Sequence, residues 1–275
     1  MRLASRFGRH SNVLRSEYPL SDDQMKAVAP SIFAEDKHDS RSARYTYIPT
    51  IEVLSGLKKE GFSPFMVCQT KTRDEGKREH AKHMIRLRHA SQINGQEANE
   101  IVLLNSHDGT SSYQMLAGVF RFVCKNGMVF GDTINEIRVP HKGDIVGDVI
   151  EGAFRVLDDF EIVDAQKDGM KCLSLNQGEQ NAFAKAALML KYDDPNKPTP
   201  VTEDQVLRSR RFEDRSGDLW TTFNRVQENL IQGGLRGRTA TGQVTTTRPV
   251  VGIDQNVKLN RALWVLAEEM RRLKD

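Results

Sequence analysis

Four groups of residues in this 275-residue chain have types and spacing that suggest chemistry. The first is Asn105-Ser106-His107-Asp108-Gly109-Thr110-Ser111-Ser112, a polar string between apolar runs. Its catalytic reading makes His107 a general base, Ser111 or Ser112 a nucleophile and Asp108 the group that orients the imidazole. The competing reading is a hairpin bend at Asp-Gly, with hydroxyls serving turn amides. Adjacent His and Asp side chains point to opposite sides of an extended strand, which favours the bend. The second group is His80, His83 and His89; without a nearby thiol they make a poor metal set, and no metal or cofactor is expected. In the third, Arg86 and Arg88 alternate with Ile85 and Leu87, so a strand places both guanidiniums on one sheet face, where they can follow a phosphate backbone. The fourth, Gly233-Gly234-Leu235-Arg236-Gly237-Arg238-Thr239-Ala240-Thr241-Gly242, joins open backbone, hydroxyls and arginine, a mixture suited to phosphate contacts. Lys82 and Arg248 extend these two basic runs. The competing reading of the arginine strand is a solvated outer sheet face, and that of the glycine-rich segment is a flexible connection between helices.

The distribution of charge supports a polyanion partner more than its sum, a net charge of +3. Residues 1–16 and 229–253 carry arginines and no acid, and residues 71–90 carry seven Lys/Arg against three acids. Residues 144–168 reverse the balance, with eight acids against Arg155 and Lys167. Segregation of this kind places a positive face opposite a negative one. Cys68, Cys124 and Cys172 lie far apart with no CxxC pair, which disfavours zinc ribbons and disulfide frameworks and suits a reducing cytoplasm. No apolar run is long enough to span a membrane, and the basic start lacks the apolar stretch of a secretory signal. Phosphate-loop, dinucleotide, zincin and nucleophile-elbow motifs are all missing, which removes the usual support for an enzyme.

The elements that must position these groups read as one α+β domain over residues 1–275. Residues 1–44 form a basic N-terminal arm, with a short helix capped by Ser21 and ending before Pro30. Residues 45–140 form a mostly antiparallel sheet, beginning with a strand at 45–48 and interrupted by a helix from Ile51 to Glu60. Strands follow at 65–70, 82–88, 100–104, 113–116 and 136–139, with Val119–Cys124 undecided by its period and tight turns at Asp108-Gly109 and Asn126-Gly127. Residues 141–192 are helical: Ile145, Val149, Ala153, Val156 and Phe160 make one apolar stripe capped by Asp144, and Phe183, Ala186, Ala187 and Leu190 face inward on a second helix. A Pro-rich connector fills 193–217. C-terminal helices occupy 218–275, separated by a Gly/Thr/Arg loop at 233–253 with no clear period, and Trp264 is expected in the core. Strands followed by helices imply a sheet covered by the C-terminal helices and exclude the alternation of a Rossmann fold.

The strings EDKHDSRSARYTYIPT (35–50), NGQEANEIVLLNSHDGTSSYQM (94–115), FRFVCKNGMVFG (120–131) and NRALWVLAE (260–268) resemble the YfjQ/YafZ family of prophage- and plasmid-borne proteins, a family of unknown function. The resemblance implies residence on a mobile element and a cytoplasmic location, and transfers no catalytic residues. The order of sheet and helix is also similar to that of single-strand annealing proteins, which hold DNA in a positive groove of a ring or filament; this is an analogy of architecture.

These readings converge on a non-enzymatic protein that binds single-stranded DNA as a homo-oligomer, with a ring and an annealing role in recombination as the forms the analogy suggests. Lys82, Arg86, Arg88, Arg236, Arg238 and Arg248 are the expected phosphate contacts. The alternatives are an enzyme of nucleic-acid or defence metabolism that uses His107 and Asp108, and an interaction protein that counters a host defence complex.

Overall fold

The computed structural model describes residues 11–36, 47, 49–72, 75–94, 97–108, 111, 113–122, 126–130, 137–139, 144–194 and 198–274. The fold is α+β, an antiparallel curled sheet followed by helices. Its contacts cluster into two compact units, the first covering residues 1–129, 134–160 and 251–253 and the second 130–133, 161–250 and 254–275.

The first unit begins with strand β1 (Ser11–Arg15), inside the segment expected to be an irregular arm. Helix α1 (Asp22–Val28) follows, closed by a reciprocal capping box between Ser21 and Gln24. Helix α2 (Thr50–Lys59) buries Val53, Leu54 and Leu57. The strand expected at 45–48 falls mostly outside the described residues, and Tyr47 is not in a strand. The remaining strands are β2 (Phe62–Thr70), β3 (His83–His89), β4 (Ile93–Asn94), β5 (Glu97–Asn105), β6 (Tyr113–Arg121), β7 (Asn126–Val129) and β8 (Ile137–Val139). Sheet order is β1-β2-β3-β5-β6-β7, with β4 on β5 and β8 on β6. Every described pairing is antiparallel. Of the undecided stretch Val119–Cys124, Val119 to Arg121 end β6 and pair with β7 through Arg121 and Asn126, while residues 123 and 124 lie outside the described residues.

One turn expected from sequence is displaced. Asn126-Gly127 opens β7 instead of forming a bend. Gly127 is needed for clearance: a Cβ there would stand 1.5 Å from Nη1 of Arg86. Helix α3 (Ile145–Asp158) is capped by Asp144, whose carboxylate accepts the Gly147 amide, and its stripe Ile145, Val149, Ala153 and Val156 is buried as expected. Gly152 brings α3 hard against Met115 of β6 and Ile137 of β8.

The second unit contains helices α4 (Phe160–Cys172), α5 (Gln177–Lys191), α6 (Glu203–Leu207) and α7 (Leu219–Gln232). Helix α4 lies inside the stretch expected to be helical but has only a weak apolar stripe of its own, and α6 is a five-residue helix inside the expected connector. On α5, Phe183, Ala184, Ala187 and Leu188 turn inward, while Leu190 is 45% exposed, which corrects the expected inward set by one helical step. Gly233, at φ 62°, ends α7. The segment 233–253 is an ordered hairpin, β9 (Arg236–Arg238) against β10 (Val244–Thr246), in place of a loop. Helix α8 (Ile253–Lys274) closes the chain. Its Trp264 is fully buried, 4.4 Å from Phe130 between ring centroids and edge-on to Phe223 and Trp220. Among the described residues no helix is long and apolar enough to cross a membrane.

Candidate nucleic-acid interface

Arg86 and Arg88 share one face of β3, as alternation requires, but that face is buried: each arginine is 3% exposed. This corrects the expectation of a solvent-facing basic strand. Glu100 on the neighbouring β5 divides its carboxylate between them. Oε2 lies 2.9 Å from Nε of Arg86, and Oε1 lies 2.8 Å from Nη2 of Arg88 and accepts from its Nε at 2.8 Å. Arg86 also donates to the Met128 carbonyl, in space left by Gly118 and Gly127. The rings of Phe65, Phe120 and Phe122 lie 4.2, 4.7 and 5.1 Å from the Arg88 guanidinium. Burial pulls the Arg86 pKa down, opposed by Glu100 beside it. Two guanidiniums over one carboxylate form a packed ion cluster whose charge is engaged within the protein. Lys82 precedes β3 and is partly buried; its carbonyl accepts the Thr70 amide at 2.9 Å.

The hairpin shows the opposite arrangement. Arg238 faces Val244 across the ladder and Arg236 faces Thr246, so these four side chains share one face, and all four are exposed. Gly237 turns the other face onto residue 200, where a Cβ would meet the Pro200 carbonyl oxygen at 1.9 Å. That seat is fixed by the Arg238 amide on Pro200 O at 2.9 Å and by Gln205 Nε2 on Arg236 O at 2.7 Å. Thr239 and Gly242 close the turn, and Thr247 ties its foot to Leu235. Arg238 donates to the Gly242 carbonyl at 2.9 Å. Among the described residues, Arg236, Arg238 and Arg248 make no ion pair. Rigid backbone and exposed, unneutralised guanidiniums together suit contact with phosphates.

His107 belongs to a third environment. Thr50, the first residue of α2, places its hydroxyl at the centre of a buried network. Its Oγ1 lies 3.0 Å from His83 Nε2 and 3.2 Å from His107 Nε2, and accepts from Asn105 Nδ2 at 3.0 Å. The protons can be placed by elimination. Ser31 donates to Gln69 Oε1 at 2.8 Å, so at its 2.8 Å contact with His83 Nδ1 it accepts. His83 Nε2 then accepts from Thr50, and His107 Nε2 donates to Thr50. Burial pushes the His83 pKa down to about 4. This network pins α2 to β3 and β5. Ser111 donates its amide to Ser106 Oγ at 2.8 Å, a hydroxyl serving the bend, and His107 Nε2 meets the Thr50 hydroxyl. Asp108 lies at the bend; Gly109, Thr110 and Ser112 lie outside the described residues. Of the other histidines, His89 turns to the Glu60 carbonyl and His80 to that of Asp36. Cys68 is buried, with its thiol pKa pushed up to about 12.

Sequence reasoning missed Glu100 as the partner of the arginines, Thr50 as the centre of the histidine network, and a cavity beside the hairpin. That cavity, of about 550 Å³, is lined by Lys191, Tyr192 and Asp193 at the end of α5 and by Thr245, Thr247 and Arg248. No local signal marks these groups, because each joins segments distant in sequence.

This arrangement, an α+β protein with an exposed basic hairpin, defines no catalytic class. A domain of unknown function (DUF932) matches residues 37–264. The chain is 57% identical over 269 residues to UPF0380 protein YafZ and 58% identical over 269 residues to UPF0380 protein YfjQ, both of Escherichia coli (strain K12). Each alignment covers 98% of this chain and 97% of the relative. The chain belongs to this DUF932/UPF0380 family, as its resemblance to YfjQ and YafZ implied. No solved structure matches it.

Proposed function

We propose that the protein binds single-stranded DNA through the β9–β10 hairpin, without catalysis, as a homo-oligomer in the cytoplasm of a cell carrying a mobile element. The observation that carries this reading is the contrast between arginines: those on β3 are neutralised by Glu100, whereas Arg236, Arg238 and Arg248 stand exposed in an acid-free segment and, among the described residues, make no ion pair. Strand annealing within a ring is the activity such binding would serve. The enzymatic alternative draws little support from His107, which is buried and committed to Thr50.

The test is fluorescence anisotropy of a labelled oligothymidylate across a salt series, with light scattering for mass. Each phosphate neutralised on a single strand contributes a slope of about −0.7 in log affinity against log salt, so contact through the three arginines predicts a slope near −2. Light scattering is expected to find an oligomer that retains the strand. Failure to bind at low salt defeats the proposal, and a monomer indifferent to DNA favours a protein-interaction role.

A further inference from the structure

We propose that the cavity beside the hairpin receives one unstacked nucleotide of the bound strand, with the base against Tyr192 and the phosphate toward Lys191 and Arg248. The proposal rests on the nucleic-acid reading above and adds to it how a single strand is distinguished from a duplex.

Three features carry it. The first is size: about 550 Å³ lies within the range of small-molecule sites, roughly 300–1,000 Å³, and suits a nucleotide. The second is the chemistry of the lining. Tyr192 supplies an aromatic ring, and bases stack on aromatic rings with little regard to sequence. Thr245 and Thr247 offer hydroxyls and Asp193 and Asp194 carboxylates, groups that pair with a base edge or sugar hydroxyl, while Lys191 and Arg248 supply the positive charge for the phosphate. The third is Lys191. Its ammonium donates to the carbonyls of Leu230 at 2.6 Å and Arg248 at 3.2 Å and lies 5.3 Å from the Tyr192 ring centroid. It makes no ion pair among the described residues, and two carbonyls leave one of its three N–H donors for a ligand. Burial lowers its pKa to about 8, so an arriving phosphate would favour its charged form.

The cavity adjoins the basic hairpin, since Thr245 lies in β10 and faces Gly237 across the ladder. Thr245 is on the face opposite Arg236 and Arg238, and Thr239 and Ala240 of the connecting turn also line the cavity, so a strand whose phosphates follow the two arginines reaches it by passing one nucleotide over that turn. A base held within a duplex cannot make that turn without unpairing.

The experiment compares the full chain's affinity for an oligothymidylate, an abasic strand of equal length and thymidine monophosphate. The intact strand is expected to bind about tenfold tighter than the abasic one. Tyr192→Ala should bring intact-strand affinity down to that of the abasic strand, and Tyr192→Phe should keep the preference. Crosslinking with a 4-thiothymidine strand, which needs no variant, should label Tyr192 or Asp193. Equal affinity for intact and abasic strands, or crosslinks confined to the Arg236 face, overturns the cavity proposal and leaves hairpin binding standing. Capture of the monophosphate with no binding of any strand overturns both, as does no binding at all.

Discussion

Two strands of this protein carry the same pattern, Arg86-Leu87-Arg88 on β3 and Arg236-Gly237-Arg238 on β9, with opposite outcomes. Alternation places each arginine pair on one face and says nothing about what that face meets. On β3 the neighbouring strand supplies Glu100, two glycines clear room for one guanidinium, and phenylalanine rings pack around the other. On β9 the middle residue is glycine, so the strand lies flat on the Pro200 carbonyl and its arginines turn to solvent. The difference lies in cross-strand partners and in which glycines stand beneath, properties of assembled neighbours. Basic residues in a strand therefore identify a candidate anion surface only after their carboxylate partners are known.

The sharpest way to break the comparison is to remove the β3 counter-charge. Glu100→Gln leaves two guanidiniums buried without their carboxylate. Removing one partner of a buried ion pair usually costs about 3–5 kcal/mol, and a loss of that size is expected in urea denaturation followed by circular dichroism. A loss below about 1 kcal/mol would mean that water reaches the arginines, and β3 would return as a candidate phosphate surface.

The same contrast marks what the sequence made legible. Long periodic elements were readable: the stripe from Ile145 to Val156 and the Ser21 and Asp144 caps each follow from a single local rule. Local rules failed where a residue serves a distant one. Asn126-Gly127 reads as a turn, yet its glycine makes room for Arg86, 41 residues earlier in the chain. The β9–β10 hairpin escaped because three-residue strands of Arg, Gly, Val and Thr carry no apolar alternation. Of the candidate site, Arg236, Arg238 and Arg248 were legible as charge without acid, whereas Lys191 and Tyr192 lay between a helix end and a proline-rich stretch that pointed to nothing.

A second expected effect separates the first unit from the hairpin by pH. His83 is neutral when folded, with its pKa lowered to about 4, and titrates near 6.5 when exposed. The unfolded chain therefore binds more protons below pH 6.5. The contribution of His83 is complete above that value, declines as the pH falls, and is lost below about pH 4, in total about 3 kcal/mol. His107 and Tyr113 meet the same Thr50 hydroxyl, so they are the neighbours through which a charged His83 would be felt. Thermal unfolding between pH 7 and 4 checks this; His83→Gln should flatten the dependence. An unchanged slope in that variant would assign the acid sensitivity to other groups.

A smaller effect is expected at the hairpin's seat. Gly237→Ala drives a methyl into the Pro200 carbonyl, and such overpacking costs about 1–3 kcal/mol. The strand must lift from its seat, so oligothymidylate affinity should fall although no charge is altered. Unchanged affinity would mean that arginine placement matters less than arginine number.

The smallest stability effect belongs to the arginines themselves. Arg236→Ala with Arg238→Ala removes two exposed side chains that make no ion pair among the described residues, and Arg238 loses one bond to a turn carbonyl. Surface changes of this kind usually stay within about 0.5 kcal/mol, so the urea midpoint should barely move. The corresponding change on β3 would expose Glu100 to the full cost of a buried unpaired charge. Binding should reverse the ranking. If each hairpin arginine neutralises one phosphate, the double variant flattens the salt slope by about 1.4 and weakens all sequences alike, because phosphate contacts carry no base information. A variant as stable as the parent with a flatter slope assigns the contact to β9. A parent-like slope removes β9 from the interface and leaves Arg248 and the cavity as the remaining parts of the proposed site.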